Sequence, residues 1–489
     1  MLLSKSQYIR GLQCHKSLWL YKNRRDLLQP ASTQTATLFA TGNTVGDYAR
    51  QIFPGGNEIG FDAADFDGMI SKAQQLIEQG ADTIYEAAFK QKDIFAMADI
   101  LHKTPDGWNM YEVKASTSVK PYHIDDAAIQ WYSLSNALKL NKVFIMHINN
   151  EYVRQGELDI NQLFHLEDVA DDVLALQSDI PDKLTDMANM LKLDMPDIEI
   201  GAHCDDPFEC DFSHLCWDIP EVSVFNLYRM RSTEKLALYK QGIVQYEDIP
   251  SDYPLSEMQQ LQVNARLNNE ISIDKDVIHE FLNTIQCPIS FFDFETFQNA
   301  IPRFDGQRPY MQMPFQYSLH IINRRGDITH HEYLGDENSD PRRELAERMI
   351  VDLPASGSIM AYNQSFEIGR IKDLASLYPD LEEELLSFVD RFVDLIKPFR
   401  DIGYYHPDFN GSFSIKSVLP AMFPDDPDLD YKQLDIQDGG MAMDTFANLY
   451  LLKDAGQRDE IRNNLLAYCH LDTLAMVRIW EKLTAIAES

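Results

Sequence analysis

A chain of 489 residues, 45% hydrophobic and 25% charged, has the composition of an ordinary globular protein and the length for two to four domains. Its 77 acidic and 43 basic residues leave a net charge of −34, which argues against a protein that coats nucleic acid non-specifically, because such proteins present a basic surface. An enzyme with a local basic groove and metal-filled acidic sites stays open.

The N-terminal MLLSKSQYIRGLQC lacks an uninterrupted apolar stretch of signal-peptide length, and no run of about 18 apolar residues follows, so the expectation is a cytoplasmic protein without a membrane span. Six cysteines suit a reducing compartment, where clustered thiols bind metal more often than they form disulfides.

In chain order, SKSQYIRGLQCHKSLWLYKN (4–23) reads as helical, with Tyr8, Leu12, Leu18 and Trp19 on one apolar side. Strand-like TIYEAAF (83–89) and DIFAMADILHK (93–103) follow across a short polar turn. A turn at Asp106-Gly107 leads into GWNMYEVKAST (107–117). DDAAIQWYSLSNAL (125–138) reads as an amphipathic helix and KVFIMHIN (142–149) as a buried strand. The series predicts an α/β core.

Glu112 and Lys114 lie two apart on one strand and share a face, which Asp99 on the neighbouring strand can join. Two carboxylates can hold a divalent cation such as Mg2+ or Mn2+, and a lysine beside them can orient or deprotonate a water at a phosphodiester. A solvated hairpin is the plain alternative. The pattern resembles the PD-(D/E)XK nuclease core, with Ala98 where proline is usual and Glu86 as a further acidic group. RecB-like members carry a glutamine and a tyrosine on the following helix, and the resemblance places Gln130 and Tyr132 in that role. Their early-helix histidine is replaced by Gly46 in TGNTVGDYAR (41–50), which leaves the metal to carboxylates.

Residues 160–200 read as helical and acidic. After them GAHCDDPFECDFSHLCWD (201–218) spaces Cys204, Cys210 and Cys216 at six-residue steps. One cysteine before the nuclease core and three after it resembles the iron–sulfur RecB-like nucleases, including CRISPR-associated ones. The resemblance implies that Cys14, Cys204, Cys210 and Cys216 ligate a [4Fe–4S] cluster joining the two ends of the domain. Zinc on four thiolates is the alternative, although no C-x2-C pair occurs. His203 and His214 read as flanking groups, and Cys287 and Cys469 as core residues.

Residues 219–283 read as a mostly helical connector. A second α/β pattern opens at PISFFDFETF (288–297) and continues through QYSLHIINR (316–324), DITHHEYL (327–334) and GSIMAYN (357–363). Asp293 and Glu295 share one face of an apolar strand, and buried acids call for a cation because unpaired buried charge is costly. AYNQSFEIGRI (361–371) brings Asn363, Phe366 and Glu367 to a helix start. Tyr468 and Asp472, four apart, share a helical face. Four carboxylates suit two metal ions flanking a scissile phosphate, with Tyr468 positioning or deprotonating water.

The order D-x-E, N-x-x-F-acid, Y-x3-D resembles the DEDDy branch of DnaQ-like 3′–5′ exonucleases, which have an RNase H-like fold. Glu367 stands where that branch has aspartate, with Asp394 a substitute or a capping residue. Lys416 reads as a phosphate contact or a solvated lysine.

The whole chain resembles a bacterial family that fuses the two nuclease types. The resemblance implies a PD-(D/E)XK restriction-endonuclease-like domain (1–218), the connector (219–283) and an RNase H-like exonuclease domain (284–489). It implies a metal-dependent nuclease acting on DNA rather than RNA, in repair or defence. A nucleic-acid-binding scaffold with degenerate sites and an RNA-processing exonuclease are the alternatives.

Overall fold

The computed structural model describes residues 2–30 and 33–489 and is mixed α/β. It divides into two units, Met1–Asp218 with Asn299–Tyr310, and Ile219–Gln298 with Met311–Ser489. Residues 219–283, read from the sequence as a separate connector, belong to the second unit. There, strand Ser272–Ile273 pairs with Tyr404–Tyr405, and Val224, Leu227, Met230, Leu238, Tyr246 and Val263 form a small core.

Among the described residues the first unit is built on a seven-stranded sheet. Thr83–Gln91 runs antiparallel to Ile94–Thr104, closed by Lys92 at φ 52° and Asp93. Ile94–Thr104 is antiparallel to Gly107–Lys114 around a tip at Pro105 and Asp106, where Thr104 Oγ1 donates to the Gly107 carbonyl at 2.8 Å. Gly107 takes φ 147°, a conformation that favours glycine.

Helix Pro121–Leu134 then crosses over, and Leu140–Ile148 returns parallel to Gly107–Lys114. Proline at the first helical position suits that start, since its missing amide hydrogen would have had no intrahelical partner. The helix is not amphipathic as the sequence suggested. His123 and every residue from Asp126 to Leu134 are buried, because the sheet covers one side and other helices the rest.

The second unit holds a five-stranded sheet in the order Ile328–Leu334, Met313–Ile322, Ile289–Phe297, Ser358–Ala361, Phe392–Asp394. The first three are antiparallel, and the last two run parallel to Ile289–Phe297 and to each other. Alternation along the central strands sorts the side chains by face. Phe292, Phe294, Tyr317 and Leu319 pack on Leu345, Met349, Ile371 and Leu385 of the helices on one side. Each such fully buried side chain contributes roughly 1.5–3 kcal/mol. The other face carries Asp293 opposite Ser318, Glu295 opposite Gln316 and Phe291 opposite His320. The C-terminal helix Ala455–Glu488 packs on that polar face: Gln316 Nε2 donates to the Leu465 carbonyl at 2.8 Å, and Phe291 meets Trp480 edge-on.

No described helix is long and apolar enough to cross a membrane.

Candidate active sites

In the first unit, regular pairing between Ile94–Thr104 and Gly107–Lys114 ends at Ile100 and Tyr111. The released Val113 amide donates instead to Asp99 Oδ2 at 2.7 Å. On the other side of Asp99, Glu86 interrupts its strand at φ 54°, and pairing skips from Tyr85 to Ala87. A non-glycine residue in this left-handed conformation costs on the order of 1 kcal/mol, and such strain collects at functional sites. The Glu86 carboxylate is held by Arg50 at 2.9 Å.

Glu112 is 1% exposed. Lys5 and Lys114 donate to its Oε1 at 2.8 and 2.7 Å, and Gln130 to its Oε2 at 2.5 Å. Both lysines also pair with Asp126, Lys5 at 3.3 Å and Lys114 closer still. Burial opposes ionisation of Glu112, but Lys114 and Lys5 outweigh it and hold the carboxyl well below its usual range. Asp99 moves the other way: burial and the neighbouring Glu112 push it well above. Burial works against the Lys114 charge too, yet Asp126 and Glu112 keep the ammonium protonated beyond its usual range. In this arrangement Lys114 orients and donates rather than accepting a proton.

The structure thus brings together Asp99, Glu112, Lys114 and Gln130, with Glu86 beside them. Tyr132 is placed elsewhere, 7% exposed in the apolar core under the sheet. The sequence reading missed Lys5 and Asp126. Asp126 stood within the helix already identified, but Lys5 lies 107 residues from Glu112, beyond any local pattern.

Cys14 is the hinge between helices Lys5–Gln13 and His15–Asn23. Its thiol is raised by burial, with Cys210 and Cys204 adding to the effect. Cys14, Cys204, Cys210 and Cys216 are all free and line one small cavity with Ser17, His203 and Phe212. Cys210 Sγ lies 3.5 Å from Ser17 Oγ, and Gln13 Nε2 ties the helix to the cysteine loop through the His203 carbonyl at 2.8 Å. Four thiols around one cavity are the donor type of an iron–sulfur cluster or a zinc ion, although no three of their sulfurs lie within 4.8 Å of one another as a single zinc ion requires.

In the second unit, carboxylate oxygens of Asp293, Glu295 and Asp472 lie within 4.8 Å of one another. They border a cavity of about 360 Å3, lined also by Asn363, Phe366, Glu367, Lys416, Gly439 and Tyr468. Burial pushes Asp293 and Glu295 well above the carboxylate range, and Asp472 reinforces this in both. Burial raises Asp472 itself to about 7, although Tyr431 donates to its Oδ1 at 2.6 Å.

Glu367 is 3% exposed and raised to about 8, chiefly by burial, and its Oε2 has no hydrogen-bond partner. Acidic oxygens crowded together, with one buried oxygen unpartnered, suit divalent cations. Burial and the Asp472, Glu295 and Asp293 carboxylates hold the Tyr468 hydroxyl far above the phenol range, so it acts as a donor.

Asp394 is a capping residue. Its Oδ1 accepts from the Asn363 amide at 2.8 Å and the Ile396 amide at 3.2 Å, fixing the turn before Glu367. Asn363 sits at φ 70° in that turn and lines the cavity. Lys416 donates to the Gln437 carbonyl at 3.0 Å, and its ammonium lies over the Tyr431 and Tyr468 rings at 5.8 and 5.9 Å. Tyr431 was missed, because nothing near it in the chain links it to an acid 41 residues away. Cys469 is fully buried, its Sγ 3.9 Å from Asp293 Oδ2, whereas Cys287, read from the sequence as a core residue too, is exposed.

Residues 290–414 match the family model described as a domain of unknown function (DUF2779). The match includes Asp293, Glu295 and Glu367 and stops short of Tyr468 and Asp472. The chain is also similar to Uncharacterized protein UU173 of Ureaplasma parvum serovar 3, 26% identical over 243 residues. That alignment covers 44% of this chain and 34% of the relative, so the chain spans about a third of its length.

Proposed function

We propose that the protein is a metal-dependent nuclease with a PD-(D/E)XK-like site in its first unit and a DnaQ-like, RNase H-fold exonuclease site in its second. The observation that carries the reading is the second cavity. Three acids from two elements converge within 4.8 Å, a fourth has an unpartnered buried oxygen, and a protonated tyrosine stands beside them. Asp293, Glu295, Glu367 and Asp472 would hold Mg2+ or Mn2+, which supplies Lewis acidity at a phosphodiester when bound. Tyr468 donates a hydrogen bond that orients the attacking water, while Tyr431 fixes Asp472. Lys416, the cation at the cavity edge, attracts the phosphate backbone.

The first site is supported by its strand order and crossover helix, and by an ionised Glu112 next to a raised Asp99. Lys114 is placed to orient a water or steady a leaving oxygen. Cys14, Cys204, Cys210 and Cys216 would hold the [4Fe–4S] cluster, linking the N-terminal helices to the loop after the sheet. DNA is the proposed substrate, in repair or defence, and the proposed compartment is the cytoplasm.

A scaffold reading has one observation in its favour, confined to the first unit: Lys5 and Lys114 already neutralise Glu112 and Asp126, so that site balances its charge without a cation.

The test is end-labelled single- and double-stranded DNA, and RNA of the same sequence, incubated with anaerobically purified protein in Mg2+ or Mn2+. Stepwise loss from the 3′ end that disappears in Asp293→Ala supports the reading. Binding without hydrolysis under every condition refutes it in favour of the scaffold, and preference for RNA moves it to RNA processing.

A further inference from the structure

The C-terminal helix Ala455–Glu488 directs successive residues to different neighbours. Tyr468 and Asp472 reach the carboxylate cavity, whereas His470 turns toward the antiparallel strands at the edge of the sheet. Their register sets His320 directly across from His330. Alternation puts both histidines on the face that carries Ser318, and Thr473 of the helix bonds there to Ser318 and His320.

One ligand nitrogen from each of His320, His330 and His470 lies within 4.8 Å of the other two. His470 Nδ1 and His330 Nε2 are 3.3 Å apart. Zinc held tetrahedrally by imidazole nitrogens at about 2.0–2.1 Å separates each pair of nitrogens by roughly 3.3–3.4 Å. The three ring centroids lie 4.5, 4.8 and 4.4 Å from one another, with interplanar angles of 35°, 67° and 78°. The rings meet tilted or edge-on rather than stacked.

Thr473 Oγ1, 2.8 Å from His320 Nδ1, occupies the place of the outer hydrogen-bond partner that orients a ligating imidazole. A fourth position falls to water or to the Ser318 hydroxyl, 3.0 Å from His330 Nε2. Imidazole donors with oxygen completing the set are a zinc chemistry.

We propose that His320, His330 and His470 bind a zinc ion, distinct from the carboxylate cavity, that pins the C-terminal helix to strands Met313–Ile322 and Ile328–Leu334. The site locks the helix from which Tyr468 and Asp472 project, and it stands whether or not the protein is a nuclease.

The test is elemental analysis of anaerobically purified full-length protein, wild type against His330→Gln, after dialysis against a weak chelator. One equivalent of zinc should be lost in His330→Gln, with iron content and far-ultraviolet circular dichroism unchanged. A folded His330→Gln that keeps the wild-type zinc content overturns the proposal.

If His330→Gln does not fold, cobalt(II) titration decides it. The titration uses zinc-stripped protein with intact histidines, carrying Asp293→Asn to silence the carboxylate cavity. Tetrahedral d–d bands from one equivalent of cobalt that carries no thiolate charge transfer, counted apart from any cobalt taken up by the cysteines, support the site. Their absence means the trio is a hydrogen-bonded packing cluster, and the proposal fails.

Discussion

Asp472→Asn should stabilise the metal-free protein at alkaline pH while abolishing second-site cleavage. In the folded chain the Asp472 carboxyl is raised from its ordinary 3.8 to about 7, first by burial. A carboxyl raised on folding makes the folded state bind more protons than the unfolded state between those two values. Its contribution to stability is therefore complete below pH 4 and is lost as pH rises through 7. The loss at pH 8 amounts to on the order of 4 kcal/mol. Asparagine keeps the shape and can still accept from Tyr431, but has nothing to ionise.

For a unit of this size 4 kcal/mol corresponds to roughly 10 °C in Tm. Scanning calorimetry on chelator-treated wild type and Asp472→Asn from pH 5 to pH 8 measures it, because the transition that the substitution moves identifies the second unit. The wild-type transition should fall with pH, the variant's should fall less, and Mn2+ should restore the wild type only. If wild type and variant show the same pH slope, Asp472 is not the strained carboxylate, and the electrostatic account of the cavity is wrong.

Lys114→Met and Asp293→Asn should remove different product sets from a labelled DNA digest, which a sequencing gel resolves; identical losses would mean a single active site. Lys5→Met should cost roughly 2 kcal/mol in the first unit, the worth of a hydrogen bond to a buried charged group, measured by urea denaturation at neutral pH. The same substitution should strengthen Mn2+ stabilisation of that unit, since Glu112 and Asp126 lose a resident cation. Cys210→Ser should lower iron content and visible absorption if the thiols hold a cluster, and lower zinc alone if they hold zinc; no change in either would remove Cys210 from the set.

What could be read from sequence followed from short, geometry-fixed spacings. Asp293 with Glu295, Glu112 with Lys114, and Tyr468 with Asp472 are separated by two or four residues, and the period of the strand or helix decides their face without tertiary knowledge. Lys5, Asp126 and Tyr431 escaped because their roles come from packing between distant segments. Tyr132 was misplaced for a related reason: two residues after Gln130 a helix has turned about 200°, so the pair cannot face one site. Asp394 could serve as ligand or cap, and the capping role shows only in the folded chain, where two backbone amides donate to its Oδ1. The histidines of QYSLHIINR and DITHHEYL lay in recognised strands, but antiparallel register was needed to bring them together.

The two acidic sites differ in how their charge is balanced, and that difference sets what a cation would do at each. Around Glu112 and Asp126 the chain supplies its own cations, Lys5 and Lys114, with Arg50 on Glu86. The result is an ionised Glu112 in a site whose charge is balanced by the chain's own lysines. Around Asp293, Glu295 and Asp472, Lys416 is the cation in the cavity wall, and the acids answer by holding protons. A divalent ion entering there displaces protons instead of lysines, so binding should release protons and strengthen steeply from pH 6 to pH 8. Isothermal titration of Mn2+ in two buffers of different ionisation enthalpy counts those protons. Proton release that vanishes in Asp293→Asn places the ion among these carboxylates, whereas release unaffected by that substitution places it elsewhere.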